Sequence, residues 1–321
     1  MKMFKCFLVL IFCLFVHSLQ AQSNSGILKD STYLVKLNDE TSFIGVLVSL
    51  SDSTYSFQTK LAGLITVYKS QVSDIKLTQR SSLHSGKYWF ANPNATRYFF
   101  SPSALNLKGG EGYYQNNYIL LNSIYVGIAD FVTIGGGFEF LSLFTAESPG
   151  PMYFLTLKGG APVTKNLHLG AGILFAGVPS SFGSGNVNYD HFGIGFGLVT
   201  YGNTDHNLTF GFGKGFENGK TAERPVFTIC GMTRVSKKVS FVTENWLIPA
   251  TKEETVGGNS GYNYNTSHFT TRKVNTYPLY ASYGLRFFGE KLSVDLGFIN
   301  SAEIAKAIFI GIPYVDYVVK F

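Results

Sequence analysis

The stretch Leu292-Ser-Val-Asp-Leu-Gly-Phe298 decides the fold, because every second residue is large and apolar while those between are polar or small. Such alternation is typical of a β-strand, in which successive side chains point to opposite faces. An amphipathic helix would instead repeat its apolar residues every three or four positions. The stretch therefore predicts a strand with one apolar face and one polar face that carries Asp295.

The same alternation of apolar with polar or small residues continues in the sequence before and after this strand. From residue 96 to the end, the sequence predicts an all-β, antiparallel, up-and-down transmembrane β-barrel of about twelve strands, with ten or fourteen as alternatives. Strands of about ten to thirteen residues suffice to cross a bilayer at the tilt that barrels adopt. The predicted spans are 96–105, 117–128, 131–143, 152–161, 167–178, 191–202, 206–216, 225–235, 238–248, 277–288, 291–300 and 308–320.

The predicted connections alternate between tight turns and long polar loops. Turns such as Ala129-Asp130 and Ser236-Lys237 follow the even-numbered strands, whereas loops such as residues 249–276 follow the odd-numbered ones. A transmembrane barrel has this pattern, with short turns on the periplasmic side and long loops outside. Because an even strand number leaves both ends of the barrel on the short-turn side, we predict a periplasmic location for the preceding domain.

The apolar face of each strand is expected to contact lipid. The third predicted strand then turns Ile134 and Phe138 outward. Glu244 is assigned to the lumen, since a charge facing mid-bilayer lipid would cost on the order of 2 to 4 kcal/mol. In the sixth strand, Phe192, Ile194, Phe196 and Leu198 are expected to face lipid, and Gly193, Gly195 and Gly197 the lumen.

Charged and titratable residues on the predicted lumen side are the candidate functional residues. They are Glu139, Lys158, His168, Arg234, Glu244, Arg286, Asp295 and Asp316. They form either a charged constriction that selects polar solutes or a set of ion pairs that brace a small closed barrel, and the second reading is favoured. In the hairpin closed by Gly289-Glu290, Arg286 is expected opposite Ser293 and diagonal to Asp295, close enough to pair.

The chain ends in a strand with one apolar face that consists of Val315, Tyr317, Val319 and Phe321. This ending resembles the C-terminal signal by which the barrel-assembly machinery recognises outer-membrane β-barrel proteins. The chain from about residue 85 onward resembles a family of Gram-negative outer-membrane β-barrel proteins with no assigned activity. The segments that carry this resemblance include Gly135-Gly-Gly-Phe-Glu139, Glu244-Asn-Trp246 and Arg286-Phe-Phe-Gly-Glu-Lys291. It implies a fold, an outer-membrane location, and lipid and the assembly machinery as partners.

Residues 29–78 have the texture of a small soluble β domain. Short alternating stretches are separated by turns such as Asn38-Asp-Glu40, which predicts five short strands in a small closed barrel. The spacing Val35-x-Leu37-Asn-Asp-Glu40-x-x-Phe43-x-Gly45-x-Leu47 resembles the Sm-like and SH3-like barrels. We interpret the domain as a periplasmic packing or docking module, joined to the barrel by a linker at residues 79–95.

The N-terminus predicts export. Lys2 and Lys5 precede the apolar run of residues 7–16, and a polar stretch leads to Ala21, so residues 1–21 are interpreted as a secretory signal peptide. Two of the three cysteines lie in that segment. The remaining Cys230 is interpreted as a buried strand thiol.

The composition argues against a nucleic-acid-binding protein. Charged residues make up 14% of the 321 residues, against about 25% in ordinary soluble domains, and the net charge is +6. Lys and Arg are scattered, and no nucleic-acid partner is expected. The chain's 35 glycines and 16% aromatic residues instead fit a barrel bathed in lipid.

Few patterns predict chemistry. Apart from Cys13 and His17 in the predicted signal segment, no histidine lies two or four positions from another His or a Cys, so no metal site is predicted. Ser267-His268, in the loop 249–276, is the best local candidate for a hydrolase at the barrel rim. Adjacent side chains on an extended loop point apart, so we expect no catalytic residue, no cofactor and no enzymatic activity.

Three functional hypotheses remain. The polar inner face favours a passive, porin-like channel for small polar solutes. The alternatives are a structural or assembly barrel that docks a periplasmic partner through residues 29–78, and a rim-located hydrolase.

Overall fold

The structure is a computed structural model, and it describes residues 27–78, 83–84, 87–144, 150–180, 188–257 and 269–321. The predicted signal segment, residues 1–21, lies outside the described residues. The chain divides into two compact units, of which the first ends at Trp89 and the second runs from Phe90 to Phe321. No helix in the described part of the chain is long and apolar enough to cross a membrane.

The first unit contains one antiparallel sheet of five strands, as the sequence predicts. The strands are β1 (Thr32–Leu37), β2 (Ser42–Leu50), β3 (Thr54–Thr59), β4 (Gly63–Tyr68) and β5 (Val72–Leu77), with a 3-10 turn at Lys69–Gln71. The core of the sheet is aromatic and aliphatic, because Tyr33, Val35, Leu47, Phe57 and Val67 lie in one cluster and are all buried. Two two-residue strands follow, β6 (Leu83–His84) and β7 (Lys87–Tyr88).

The predicted closure of this domain into a small barrel is not found. The strand order is β4-β3-β2-β1-β5, so that β4 and β5 are the two edges of an open sheet. The physical reason is that the chain crosses from one edge to the other at residues 69–71, and β5 then pairs with β1 rather than with β4.

The second unit is a closed antiparallel barrel of twelve strands. They are β8 (Gly112–Asn117), β9 (Leu121–Ala129), β10 (Val132–Glu139), β11 (Tyr153–Pro162), β12 (Leu167–Pro179), β13 (Tyr189–Gly202), β14 (His206–Glu217), β16 (Val226–Ser236), β17 (Val239–Leu247), β20 (Leu279–Phe288), β21 (Leu292–Ser301) and β22 (Ile312–Lys320). The short β15 (Lys220–Thr221) extends β14, and β18 (Ala250–Gly257) pairs with β19 (Phe269–Thr276) in the longest loop. One helical turn, α1 (Ile304–Ala307), and a 3-10 turn (Leu141–Leu143) also lie in loops.

The barrel closes where its last strand meets its first. β22 pairs with β8, and Gly112 and Phe321 exchange two backbone hydrogen bonds of 2.9 Å each. Val315, Tyr317, Val319 and Phe321 lie on the outer face, as predicted, with 40–43% of each residue exposed. An apolar outer surface continues into the terminal residue itself.

The predicted strand number is confirmed, but the first strand is not where the sequence placed it. Residues 96–105 form no barrel strand, and the predicted span 117–128 gives way to two strands, β8 and β9. Tyr118 and Ile119 turn the chain between them with φ values of 54° and 68°, a left-handed conformation that usually requires Gly or Asn. That turn has no sequence signal, which is why it was missed.

Short turns and long loops alternate around the barrel as predicted. The turns at residues 130–131, 163–166, 203–205, 237–238 and 289–291 lie at one end, and residues 140–152, 180–188, 218–225, 248–278 and 302–311 connect strands at the other. The turn at residues 118–120 is the exception, a tight connection at the long-loop end. Both ends of the barrel lie on the short-turn side.

The alternation of faces is confirmed for most strands but wrong for β13. On β10, Ile134 is exposed and Thr133 buried, as expected. On β13, Thr200 and Leu198 are buried while Val199 is 41% exposed, so that the residues with even numbers face the lumen. Phe192, Ile194 and Phe196 therefore point inward, and Gly193, Gly195 and Gly197 point outward, contrary to the prediction.

The reason for this reversal lies in the neighbouring strands. A methyl group at Gly172 would meet the ring of Phe196, and one at Gly213 would meet the side chain of Ile194. The large residues of β13 thus occupy the space above lumen-facing glycines of β12 and β14. Periodicity alone cannot distinguish the two faces of a strand in which large residues alternate with glycines.

Candidate functional site

A hairpin occupies the lumen of the barrel. Residues 90–107, which we call the lumen hairpin, fold back on themselves through a bridge between Arg97 and Pro102. The Tyr98 amide donates to the Ser101 carbonyl (2.9 Å), and the Ser103 amide donates to the carbonyl of Thr96 (3.0 Å). The tip of the lumen hairpin is therefore at residues 98–101.

Both legs of the lumen hairpin leave the barrel at its short-turn end. On the first leg, the Phe90 carbonyl accepts a hydrogen bond of 2.8 Å from Arg234, which also pairs with Asp205 in the 203–205 turn at 2.9 Å. Beyond the second leg, the Gly109 amide donates to Asp130 in the 130–131 turn at 2.9 Å. The segment thus enters and leaves at the same rim.

Arg286 on β20 is the centre of the contact between wall and hairpin. Its Nε and Nη2 donate to the two carboxylate oxygens of Asp295 on β21, at 2.7 Å each. Its remaining N–H groups donate to the carbonyls of Asn94 (3.0 Å), Arg97 (3.2 Å) and Tyr98 (2.7 Å). A fully buried guanidinium needs such complete pairing, because an unpaired charge in a dry interior is very costly.

Arg97 of the lumen hairpin completes a four-charge cluster. Its Nη1 lies 3.0 Å from Asp295 and 3.1 Å from Asp316 on β22. Asp316 also accepts hydrogen bonds from Gln115 (2.6 Å) and Tyr314 (2.8 Å). Two arginines and two aspartates leave the cluster formally neutral, which is what permits it to be buried.

Glu244 on β17 holds the tip of the lumen hairpin. One carboxylate oxygen accepts three backbone N–H bonds, from Phe99 (2.9 Å), Phe100 (3.0 Å) and Ser101 (2.9 Å). The other oxygen accepts the Trp246 indole N–H at 2.7 Å. Successive backbone amides make a favourable concavity for an anion, so this fully buried carboxylate is satisfied by the hairpin itself.

The lumen hairpin is also tied to β11 and β14 of the barrel wall. The ammonium group of Lys158 donates to the carbonyls of Ser103 (2.8 Å) and Leu105. The Tyr98 hydroxyl donates to Asn207 at 2.7 Å and lies 2.6 Å from the Thr209 hydroxyl. Polar wall groups and hairpin backbone therefore satisfy each other across the described lumen.

The structure brings most of the predicted lumen residues together. Lys158, Arg234, Glu244, Arg286, Asp295 and Asp316 all contact the lumen hairpin or the cluster that it completes, and all are buried. Arg286 and Asp295 pair as predicted, but they are directly opposite each other, because the turn after β20 pairs Phe288 with Ser293 and is longer than the two residues assumed.

Two predicted lumen residues stand apart. Glu139, at the long-loop end of β10, accepts hydrogen bonds from the amides of Leu141 and Ser142 and from the Ser142 hydroxyl. The buried Nδ1 of His168 has no hydrogen-bond partner among the described residues. Among the described residues, no hydrogen bond or ion pair joins either side chain to the lumen hairpin.

Sequence reasoning missed the lumen hairpin and with it Arg97. Pro93 and Pro102 were the available signal, because proline removes a backbone donor and is confined to the edges of sheets. Gln115 was missed because β8 was not recognised. Cys230 is buried in β16, as predicted. No group of His, Cys, Asp and Glu in the described ranges has the geometry to hold a metal ion.

Comparison with known proteins adds little to this geometry. No family model matches the chain, and no curated protein matches it. Among solved structures, a loop L8 deletion mutant of OmpT, an outer membrane protein of Vibrio cholerae, is similar at 11% identity and a TM-score of 0.32, over 90% of this chain and 96% of that one. OmpT expressed in the outer membrane of Vibrio cholerae is similar at 10% identity and a TM-score of 0.30, over 91% of this chain and 95% of that one. The in-vitro folded form of OmpT is similar at 11% identity and a TM-score of 0.29, over 90% of this chain and 93% of that one.

The exclusion of enzymatic activity drawn from the sequence does not hold. The similar solved structures are outer membrane proteins named OmpT, and a likeness at 10–11% identity leaves an enzymatic activity open. The pair behind the hydrolase hypothesis, Ser267-His268, lies outside the described residues. What the strand pairing establishes is the fold, a closed twelve-strand antiparallel barrel of the outer-membrane type.

Proposed function

We propose that this protein is an outer-membrane β-barrel that holds residues 27–78 at the periplasmic face for a protein partner, with its lumen closed at rest. One observation carries the proposal, namely the lumen hairpin that lies inside the barrel and binds Glu244, Arg286 and Asp316. A passive channel is disfavoured, since a permanently open path would require these buried charges to face water instead.

The periplasmic orientation is supported by the asymmetry of the barrel. Short turns lie on the periplasmic side of such barrels, and both ends of this barrel lie on the short-turn side. Lipid surrounds the apolar outer face in this proposal. The barrel-assembly machinery reads the outward residues Val315, Tyr317, Val319 and Phe321.

The partner site that we propose is the free edge of β4. This strand is the edge of an open sheet, and Leu64 and Tyr68 are 61% and 59% exposed on it. An extended peptide can add to such an edge through backbone hydrogen bonds, while exposed side chains select its sequence. The proposed partner is thus a periplasmic protein with an extended segment that carries apolar residues at alternate positions.

Photocrosslinking in intact cells tests the proposal. A photoreactive residue at position 64 is expected to give a discrete protein adduct, and Tyr68→Glu is expected to abolish it. The matched control is the same photoreactive residue at Leu77 on β5, which is 59% exposed on the other edge strand. Equal adducts from both positions, or none from position 64, would contradict the β4 site.

A further inference from the structure

The lumen hairpin can leave the barrel without threading a chain end through it. Its two legs pass the same rim, beside Arg234 and Asp205 on one side and beside Asp130 on the other. Because both legs pass the same rim, the segment can leave the lumen as one intact loop. The N-terminal leg continues directly into the chain that precedes Phe90, so a pull on that chain acts on the hairpin.

Polar side chains make up much of the wall that faces the lumen hairpin. Thr200, Asn207, Thr209, Gln115 and Ser293 all donate to or accept from hairpin atoms. Water can replace such partners, whereas the wall itself is held by the backbone hydrogen bonds of the closed barrel. Withdrawal therefore leaves a hydrated lumen rather than a collapsed one.

Apolar contacts keep the lumen hairpin in place at rest. Tyr98 and Phe99 pack in one buried cluster with Met232, Val242 and Tyr314. The Phe99 and Tyr314 rings are 4.8 Å apart, within the range of a favourable aromatic pair. Closure is consequently the resting condition, and opening requires a destabilising change or force.

The charge of the wall changes when the lumen hairpin leaves. Arg286, Asp295 and Asp316 lie directly opposite one another on three neighbouring strands, and Glu244 lies on the next strand, β17, opposite Ser282. With Arg97 present, its positive charge offsets Asp316, and the hairpin amides satisfy Glu244. Without the hairpin, the carboxylates of Glu244, Asp295 and Asp316 face two cations, Arg286 and Lys158, while Arg234 stays paired with Asp205. The remaining excess of negative charge on the wall favours cations.

We propose that the lumen hairpin is a withdrawable plug, and that withdrawal converts the barrel into a water-filled pore selective for small inorganic cations. The hairpin supplies the counter-charges that the pore lining lacks. This inference and the docking site on β4 fail separately, because one is read as ionic current and the other as a protein adduct.

Planar-bilayer recordings of the full chain, in phosphatidylcholine with potassium chloride, test the plug. Glu244→Gln removes the charge that binds three amides of the hairpin tip, and the open probability is expected to rise by on the order of 10- to 100-fold. The matched control is Glu139→Gln, a carboxylate that binds only its own loop, which is expected to leave the current at the wild-type level.

A disulfide lock shows whether the current comes from the hairpin. An ideal Cβ at Gly170 lies 3.2 Å from the Ala104 Cβ, so that a shift of a few tenths of an ångström gives disulfide geometry. In a Glu244→Gln, Cys230→Ala background, Ala104→Cys with Gly170→Cys is expected to abolish openings when oxidised and to restore them on reduction. Openings that persist in the oxidised protein would overturn the proposal.

Excision gives the open state itself. Residues 96–103 are replaced by Gly-Gly, which is feasible because the Ser103 amide lies 3.0 Å from the Thr96 carbonyl. The folded variant, identified by heat-modifiable migration, is expected to conduct permanently, with K⁺ several-fold more permeant than Cl⁻. Asp316→Asn in that variant is expected to lower this preference. A folded excision variant without current, or one that prefers anions, refutes the inference; if it does not fold, the lock decides.

Discussion

At the scale of single residues, the barrel depends on buried charges that satisfy one another across long sequence distances. Arg97 and Asp316 are 219 residues apart in the chain and 3.1 Å apart in the fold. Such a network adds little stability over a well-packed apolar core, but losing one member leaves the others uncompensated. The expected signature is therefore high sensitivity to single substitutions.

Arg286→Met tests this sensitivity. It removes the donors to Asp295 and to three hairpin carbonyls, and we expect the free energy of unfolding to fall by about 3 to 5 kcal/mol. Urea denaturation of the protein folded in detergent micelles measures the change. Arg272→Met, an exposed arginine on β19, is the control and is expected to stay within about 0.5 kcal/mol of wild type. Equal losses in the two variants would contradict the central role of Arg286.

At the scale of elements, the turn between β8 and β9 stores strain. Ile119 has a φ of 68°, and a β-branched residue in this left-handed region costs roughly 1 to 2 kcal/mol relative to glycine. We expect Ile119→Gly to raise the free energy of unfolding by about 1 kcal/mol, less the entropy that glycine adds to the unfolded chain. Thermal unfolding followed by circular dichroism measures it.

The control for that prediction lies next to it in the chain. Leu120 is not among the described residues with a positive φ, so Leu120→Gly relieves no left-handed backbone conformation. We expect this variant to lower the free energy of unfolding. A stabilised Leu120→Gly, or a destabilised Ile119→Gly, would mean that the turn is not strained.

How far sequence predicts an element depends on whether its two faces differ chemically. β21 was predicted correctly because Leu296 and Asp295 belong to opposite faces by any measure. The predicted faces of β13 are reversed, because the alternation of residues such as Phe196 and Gly197 shows the two-residue period but not which residue faces the lumen. Residues 96–105 of the lumen hairpin have the apolar content of a barrel strand, but in the fold these apolar residues pack on lumen residues such as Met232, an environment that only the tertiary fold creates.

At the scale of the whole molecule, the barrel wall is uneven. β12, β13 and β14 have 13, 14 and 12 residues, whereas β8 has 6 and β10 has 8. Exposed apolar residues lie in the connections at the long-loop end, among them Ile119 after β8, Phe144 after β10 and Phe309 before β22. A bilayer adapts to such a mismatch at modest cost, and apolar loops lower that cost by extending the apolar belt.

Phe321 takes part in closure and belongs to the assembly signal that we propose, which gives a prediction for the whole protein. Deleting Phe321 removes the outward aromatic end and both hydrogen bonds to Gly112. We expect a clear drop in the amount of folded barrel in outer-membrane fractions, measured by immunoblot. Refolding into detergent micelles is the comparison, and it separates loss of the assembly signal from loss of stability. An unchanged outer-membrane level would argue against the signal.

The lumen hairpin also sets an order of events during folding. It immediately precedes β8, and Arg97 contacts Asp295 and Asp316 on the last two strands, which are made last. Closing so long a segment of chain is slow, because its entropy is lost before the contact is gained. Because the lumen hairpin contacts β17, β21 and β22 together, we expect it to align β22 for pairing with β8.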